Sequence, residues 1–333
     1  MTGDAALTKG EGGTHGRTPG PARDGTVVMG AGAARLLWLS LLLVLAAMYS
    51  AGCLDNGSEN GSELQVAVTI LPQEEIARAV GGEKVCITVV VPPGVEPHTY
   101  EPSAGQIARL SQADMYFRLG RGLLPFEDAL VDRLLTLNPD LVVVDTSEGV
   151  SLIRVQGQDH GAMQGGDPHV WLSPSNLRIM AGHMAEGFSI IDPGRAADYA
   201  AGKEAYIRRV DATDTNIRDM LSGMEGKPFL VFHEAWGYFA REYGLVQVAV
   251  GAEGKEPGAR ELSSLITFAR ENGIRVVFAE PQYDTRGSEV IAREIHGSVV
   301  LIDPLAPDTL SNLERVASAI SLIYGEGNGG AVP

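Results

Sequence analysis

Residues 64–92, LQVAVTILPQEEIARAVGGEKVCITVVVP, decide the fold of this chain. Within them, 64–71 and 84–92 are apolar runs of strand length. The segment between these runs, 72–82, begins with proline and acidic residues and ends in glycine, as helices do. Continuously apolar strands joined by a helix are typical of a parallel sheet that helices cover on both faces.

The same alternation of strands and helices continues along the chain. In the first half it predicts strands at 114–120 and 140–147 and helices at 103–113 and 125–138. In the second half it predicts strands at 228–233, 245–251, 274–280 and 298–304, with helices at 234–244, 259–273, 285–297 and 309–325. We therefore expect an α/β protein with two lobes, each a parallel sheet flanked by helices.

The segment between the two halves predicts a long helix. No proline occurs from Gly194 to Met224, and apolar residues recur there with helical spacing. A helix of about 30 residues would be about 45 Å long, enough to run the length of the molecule. Two shorter helices broken near 213–215 are the alternative, but no glycine or proline interrupts 203–222, which favours a single helix.

These elements divide the sequence into five parts. The N-terminal lobe is predicted at 64–192 and the C-terminal lobe at 226–327, with the linking helix at 193–225. Before the lobes, 54–63 (LDNGSENGSE) is a polar tether. Residues 1–53 combine a leader that is predicted to be disordered with a signal peptide.

The signal peptide is predicted from an apolar run at 36–48, LLWLSLLLVLAAM, which follows Arg35. The run is short for a membrane-spanning helix, and Ser-Ala-Gly-Cys at 50–53 comes soon after it. This ending resembles a lipobox, in which Cys53 becomes the lipidated first residue of the mature chain. An uncleaved anchor and an ordinary secretory signal are the alternatives. All three place residue 54 onward outside the cytoplasm.

The amino-acid composition limits the kinds of molecule that this protein binds as its main partner. The formal net charge is −16, which argues against nucleic acid or anionic lipid as the main partner and agrees with a protein that handles cations. The chain has two cysteines, Cys53 and Cys86. If Cys53 carries a lipid, no intramolecular disulfide can form, and Cys86 is then expected to be a small buried apolar side chain.

Four residues with metal-binding side chains follow apolar, strand-like runs. They are His98 in VVVPPGVEPH, His169 in DPHVW, His233 in FLVFH and Asp303 in VVLID. Ligands of parallel sheets gather beyond the carboxyl ends of the strands, so these residues, two from each half, would meet if the lobes face each other. Neutral imidazoles and one carboxylate suit Zn²⁺. We expect a metal site in the interlobe cleft, although Asp303 has the alternative of capping the turn that follows it.

Two other residues are weaker candidates. His160 lies in the glycine-rich stretch QGQDHGAMQGGD, 156–167, which is either an auxiliary metal-capturing loop or a plain connection. Glu280, in AEPQY, is a candidate for three roles. It is a general base, a member of a salt bridge, or a residue that supports a metal ligand from behind. A zinc hydrolase would need an open position on the metal, which a fourth ligand at Asp303 would close.

Five segments resemble, in order, the signature sequences of the zinc- and manganese-type solute-binding proteins of ABC transporters. They are GVEPHTYEPS, DPHVWLSPSN, FHEAWGYFAREYG, FAEPQY and LIDPL. The resemblance covers 64–325. It implies two lobes bridged by a rigid long helix, with a divalent metal ion bound between them by His98, His169, His233 and Asp303.

The resemblance also implies a function. Such proteins capture a metal ion outside the cytoplasm and deliver it to the membrane permease of an ABC transporter. Histidine at the third ligand position is the zinc-type pattern and glutamate the manganese-type pattern, and here the position is His233. Three imidazoles and one carboxylate also suit four-coordinate Zn²⁺ better than Mn²⁺, which prefers more oxygen ligands. A member of the same family that binds Mn²⁺ or Fe²⁺ is the alternative.

Overall fold

The computed structural model describes residues 63–154, 166–251 and 258–325. The leader, Cys53, the tether up to its last residue and His160 lie outside these ranges, so the predictions about them stay predictions. Within the described ranges, no helix combines the length and the apolar character that crossing a membrane would require.

The first half folds into a four-stranded parallel sheet with the strand order β2-β1-β3-β4. Its strands are β1 (Leu64–Val68), β2 (Val85–Val89), β3 (Met115–Arg118) and β4 (Val142–Asp145). The helices between these strands are α1 (Leu71–Gly81), α2 (Ala104–Leu110) and α3 (Glu127–Leu137). Both central strands, β1 and β3, are almost fully buried, which explains why their sequences are continuously apolar.

Cys86 lies in β2 and is 4% exposed, as expected of a small buried side chain.

Two helices connect the halves, α4 (Pro174–Ile191) and α5 (Ala196–Met220). The second is a single unbroken helix of 25 residues, which makes it about 37 Å long. The alternative of two helices broken near 213–215 is thereby excluded. The helix is shorter than expected at both ends: a 3₁₀ turn, Pro193–Arg195, precedes it, and its last residue is Met220. One stripe of this helix is buried: Tyr199, Tyr206, Val210, Thr213 and Ile217.

The second half repeats the topology of the first, with the strand order β6-β5-β7-β8 and all pairs parallel. Its strands are β5 (Pro228–Val231), β6 (Val246–Ala249), β7 (Val276–Ala279) and β8 (Ser298–Leu301). Its helices are α6 (Gly237–Tyr243), α7 (Ala259–Glu271), α8 (Arg286–Glu294) and α9 (Thr309–Gly325). The predicted α/β architecture of two parallel sheets flanked by helices is confirmed.

Helix α5 contacts both lobes. It packs on α1 and α4 of the first half and on α9 of the second. Asn216 on α5 donates to Glu314 on α9 over 2.8 Å. Gly202 on α5 lies so close to α1 that a Cβ there would be 2.6 Å from the carbonyl oxygen of Val80. The long helix is therefore a shared support for both lobes.

The two lobes also share one apolar core. Phe229 and Phe278 of the second sheet belong to the same buried cluster as Phe117 and Phe188 of the first half. A second, smaller cluster, which includes Leu230, lies on the opposite face of the second sheet with residues of α7 and α8. Since side chains alternate along a strand, β5 serves both clusters.

Candidate metal centre

Three of the four predicted ligands meet between the lobes. His98 lies in a 3₁₀ turn, Pro97–Thr99, after β2, and His169 lies between β4 and α4. His233 comes from the second half, just after β5. One nitrogen from each ring lies within 4.8 Å of the other two. The carboxyl ends of strands from both lobes thus bring these histidines together.

The spacing of the three nitrogens fits a tetrahedral metal. Nε2 of His169 lies 3.4 Å from Nε2 of His98 and 3.3 Å from Nε2 of His233. A Zn–N bond of about 2.0–2.1 Å places two ligands about 3.3–3.4 Å apart at the tetrahedral angle, against about 2.9 Å in an octahedron. The rings are therefore arranged as Zn²⁺ would need them.

Asp167 fixes the orientation of His169. Its Oδ1 lies 2.8 Å from Nδ1 of His169 and also accepts the backbone N–H of His169 over 2.9 Å. This contact favours the tautomer with a proton on Nδ1, which leaves the lone pair of Nε2 for a metal. The sequence reasoning missed this role, although the signal was present in the Asp-Pro-His order of the motif.

Glu96 is a second residue that the sequence reasoning missed. Its Oε1 accepts the backbone N–H of His98 over 2.7 Å, and its Oε2 accepts the hydroxyl of Tyr283 from the other lobe over 2.6 Å. Trp171 is 2% exposed and donates its indole N–H to the carbonyl oxygen of Pro304 over 2.6 Å. Both contacts cross the cleft beside the histidines.

Burial keeps two of the imidazoles neutral. It lowers the pKa of His98 to about 4, with His169 adding to the effect. It lowers the pKa of His233 to about 2, with the other two histidines adding to the effect. A neutral ring is the form that binds a metal, so these two side chains can bind without first losing a proton at physiological pH.

Asp303 is not part of the group of ligand atoms. Its Oδ1 accepts the backbone N–H of Leu305 over 2.9 Å and the side-chain amide of Gln282 over 2.7 Å. The carboxylate therefore caps the turn after β8, which was the alternative for this residue. The structure does not bring Asp303 to the three histidines.

Glu280 lines the same cavity as the histidines, although its carboxylate oxygens also lie outside their group of ligand atoms. It is 2% exposed, and its Oε1 has no hydrogen-bond partner. Burial raises its pKa well above the usual value, and the charges of Glu96 and Asp303 raise it further. Among the described residues, no basic side chain forms a salt bridge with Glu280. The cavity that it faces is lined by Glu96, Pro97, His98, Leu124, His169, Trp171, His233, Glu280, Gln282, Pro304 and Leu305.

This fold and site define a class: two-lobed α/β proteins with a long linking helix and a metal site between the lobes. Residues 66–320 match the family described as zinc-uptake complex component A, periplasmic, and the chain belongs to this family. The family is a component of zinc-uptake complexes and not a family of enzymes, which argues against the hydrolase alternative.

Known relatives agree with this assignment. The zinc-binding lipoprotein AdcA of Streptococcus pneumoniae serotype 4 is 27% identical over 297 residues, which are 86% of this chain and 58% of AdcA. The chain thus spans little more than half the length of that relative. The high-affinity zinc uptake system protein ZnuA of Bacillus subtilis is 26% identical over 287 residues, 80% of this chain and 88% of the relative.

Solved structures share the fold. A crystal structure of ZnuA has a TM-score of 0.72 and 36% sequence identity, covering 78% of this chain and 98% of that chain. Zn(II)-bound AdcA from Streptococcus pneumoniae has a TM-score of 0.66 and 26% identity, covering 81% of this chain and 59% of that chain.

Proposed function

We propose that this protein captures Zn²⁺ outside the cytoplasm and delivers it to the membrane permease of an ABC transporter. The observation that carries this proposal is the cluster of three imidazoles between the lobes, with nitrogens 3.3 and 3.4 Å apart. Two of the rings belong to the first half and His233 to the second. Separation of the lobes would therefore withdraw one ligand, which offers a simple route to release.

The donor set favours Zn²⁺ over Mn²⁺ or Fe²⁺ as the cargo. Three imidazole nitrogens with tetrahedral spacing suit Zn²⁺, whereas Mn²⁺ prefers carboxylate, carbonyl and water oxygens. Zn²⁺ also binds more tightly than Mn²⁺ at nearly any site of this kind. The neutral state of His98 and His233 removes competition from protons.

Calorimetric titration of metal-free protein tests the site. We expect one Zn²⁺ per chain and much weaker Mn²⁺ binding. His233→Ala is expected to weaken Zn²⁺ binding by more than about 100-fold, since even residues behind a metal ligand contribute about 10- to 100-fold. His296→Asn is the matched control: His296 is exposed, lies outside the cavity and has φ of 52°, which asparagine tolerates.

Two results would count against the proposal. If His233→Ala binds Zn²⁺ like the unchanged protein, the three-histidine site is not where the metal binds. If Mn²⁺ competes with Zn²⁺ on equal terms, the cargo assignment fails even though the site stands.

We also propose that the mature protein begins at Cys53 and is held at the membrane by a lipid on that residue. The apolar run before Cys53 and the name of AdcA as a lipoprotein support this anchor. The intact mass of the mature protein decides: added acyl groups support the anchor, and a disulfide between the two cysteines contradicts it.

A further inference from the structure

We propose that Tyr238 and Glu242, both on helix α6, are positioning residues that hold the segment carrying His169 in place beside His233. This inference rests on the proposed function, since it concerns the geometry of the same Zn²⁺ site. Neither side chain belongs to the group of ligand atoms, which the three histidines form. The role of α6 follows instead from the segments that its polar side chains reach.

Helix α6 follows His233 closely along the chain. His233 lies four residues before the first residue of the helix, and the backbone N–H of Ala235 donates to the carbonyl oxygen of His233 over 2.9 Å. Ala235 and Trp236, in this connection, are 0% exposed and belong to the apolar core that both lobes share. Because the connection is short and packed, a displacement of α6 would displace His233 with it.

The hydroxyl of Tyr238 joins α6 to the first half. It donates to the backbone carbonyl oxygen of Asp167 over 2.7 Å and accepts the backbone N–H of Ile153 over 3.2 Å. Ile153 and Asp167 also contact each other, since the N–H of Asp167 donates to the carbonyl oxygen of Ile153 over 2.8 Å. Tyr238 is 0% exposed, so both backbone groups would lose a buried partner if its hydroxyl were removed.

Asp167 connects this contact to His169. Its Oδ1 accepts the backbone N–H of His169 over 2.9 Å and lies 2.8 Å from Nδ1 of the ring. Gly237, the first residue of α6, lies against the same carboxylate: a Cβ there would be 2.9 Å from Oδ2 of Asp167, closer than side chains normally approach. Helix α6 therefore contacts both the backbone and the side chain of Asp167, and Asp167 in turn orients the imidazole of His169.

Glu242 holds the chain on the other side of His169. Its carboxylate accepts hydrogen bonds from the hydroxyl groups of Ser173 and Ser175 and, over 3.3 Å, from the backbone N–H of Ser175. These serines begin helix α4, where backbone N–H groups without a helical partner favour a negative charge. The side chain of Glu242 is 8% exposed, so the contact is largely shielded from water.

His169 lies between these two contacts in the sequence. Tyr238 holds the chain at Asp167, two residues before His169, and Glu242 holds it from Ser173, four residues after His169. The helix that follows His233 is thus bound to both ends of the segment that carries His169. The spacing of 3.3 Å between Nε2 of His169 and Nε2 of His233, which come from different halves of the chain, therefore depends on α6.

Tyr238→Phe in the full chain tests the inference, with Tyr243→Phe as the matched control. Tyr243 lies on the same helix and is also buried, but its hydroxyl donates to Asp214 of α5 over 3.0 Å. We expect both variants to lower the unfolding temperature of the metal-free protein, because each loses a buried hydrogen bond. Only Tyr238→Phe is expected to weaken Zn²⁺ binding in chelator competition, by about tenfold, the lower end of the range for residues behind a metal ligand.

Two further measurements separate positioning from general stability. In the metal-free protein, the backbone N–H of His169 should exchange with solvent faster in Tyr238→Phe than in Tyr243→Phe, because its acceptor Asp167 is held less firmly. Glu242→Met keeps the length of the side chain and removes the acceptor. It should raise the rate at which Zn²⁺ dissociates into excess chelator, and an unchanged rate would exclude Glu242 from the role proposed.

The possible results separate this inference from the proposed function. If Tyr238→Phe loses stability but binds Zn²⁺ as tightly as Tyr243→Phe does, α6 contributes only packing and the inference is overturned. A weaker affinity with unchanged exchange at His169 also overturns it, because Tyr238 would then not act through the His169 segment. Neither result affects the proposed function, which fails instead if His233→Ala retains Zn²⁺ binding.

Discussion

At the scale of the residue, the site depends on how each imidazole is held. His169 is fixed from behind by Asp167, through both its backbone N–H and its ring, at 2.9 and 2.8 Å. Nδ1 of His98 and Nδ1 of His233, by contrast, are buried without a hydrogen bond. His169 is therefore the preorganised ligand, and its Nε2 is the atom to which both other Nε2 atoms lie close.

This difference predicts the effect of Asp167→Asn. The amide oxygen can still accept a hydrogen bond from His169, but a neutral acceptor forms a weaker bond than a carboxylate does, so the ring is held less firmly. Zn²⁺ affinity is expected to fall about tenfold, the lower end of the range for residues behind a metal ligand. Chelator competition measures this change, and thermal unfolding of the metal-free variant checks that the fold is intact. An unchanged dissociation constant would mean that Asp167 only shapes the loop.

The sequence could predict which candidate residues reach the cleft where their position relative to a strand decides it. His233 lies two residues after β5, where the general rule about strand ends places ligands. His98 lies in a 3₁₀ turn and His169 in the long connection between β4 and α4, so for these two the rule gives only the side of the sheet. Asp303 obeys the same rule yet does not join them, because its carboxylate is used by Leu305 and Gln282. That competition between local hydrogen bonds and metal binding leaves no mark in the order of residue types.

At the scale of the element, α5 is the part on which both lobes depend. Its contact with α1 is close because Gly202 has no side chain: a Cβ would lie 2.6 Å from the carbonyl oxygen of Val80 and 2.9 Å from that of Ala79. Backbone atoms cannot move aside as a flexible side chain can. The glycine is thus required by packing, although it lowers the intrinsic helix propensity of α5.

Gly202→Ala is accordingly expected to destabilise the protein by about 1–3 kcal/mol, the usual cost of overpacking. Gly182→Ala in α4 is the matched control, because a Cβ there would meet nothing within 4 Å. That control should be neutral or stabilising by about 0.5–1 kcal/mol, the ordinary gain from replacing glycine by alanine in a helix. Denaturant unfolding of the metal-free variants measures both. Equal effects of the two substitutions would contradict the close crossing of α1 and α5.

The helices and strands could be predicted because the residues that determine each of them are neighbours in the sequence. All eight strands were expected from apolar runs, and the observed strands are shorter by a few residues at their ends. After β5, the overhang contains His233, which lines the cavity between the lobes. Helical spacing alone does not fix which face of α5 is buried: Ala205 is exposed and its neighbour Tyr206 is buried, because the adjoining helices decide which face is covered.

At the scale of the whole molecule, two lobes of the same topology share one core and contribute to one cluster of three histidines. The sequence predicted the lobes and their number of strands, but not that apolar packing continues from one sheet to the other. Contacts between distant segments, such as Trp171 with Pro304 and Glu96 with Tyr283, arise only once both lobes are placed. Both contacts join the lobes beside the cavity that the three histidines line.

The zinc K-edge X-ray absorption spectrum of the loaded protein tests this account most directly. We predict four light-atom ligands at about 2.0–2.1 Å, with the outer-shell scattering of three imidazole rings and no sulfur. The spectrum of Asp167→Asn should keep the same ligand count, while His233→Ala should lose one ring or bind no zinc. A six-coordinate shell rich in oxygen, or fewer than three imidazoles in the unchanged protein, would contradict the three-histidine site between the lobes.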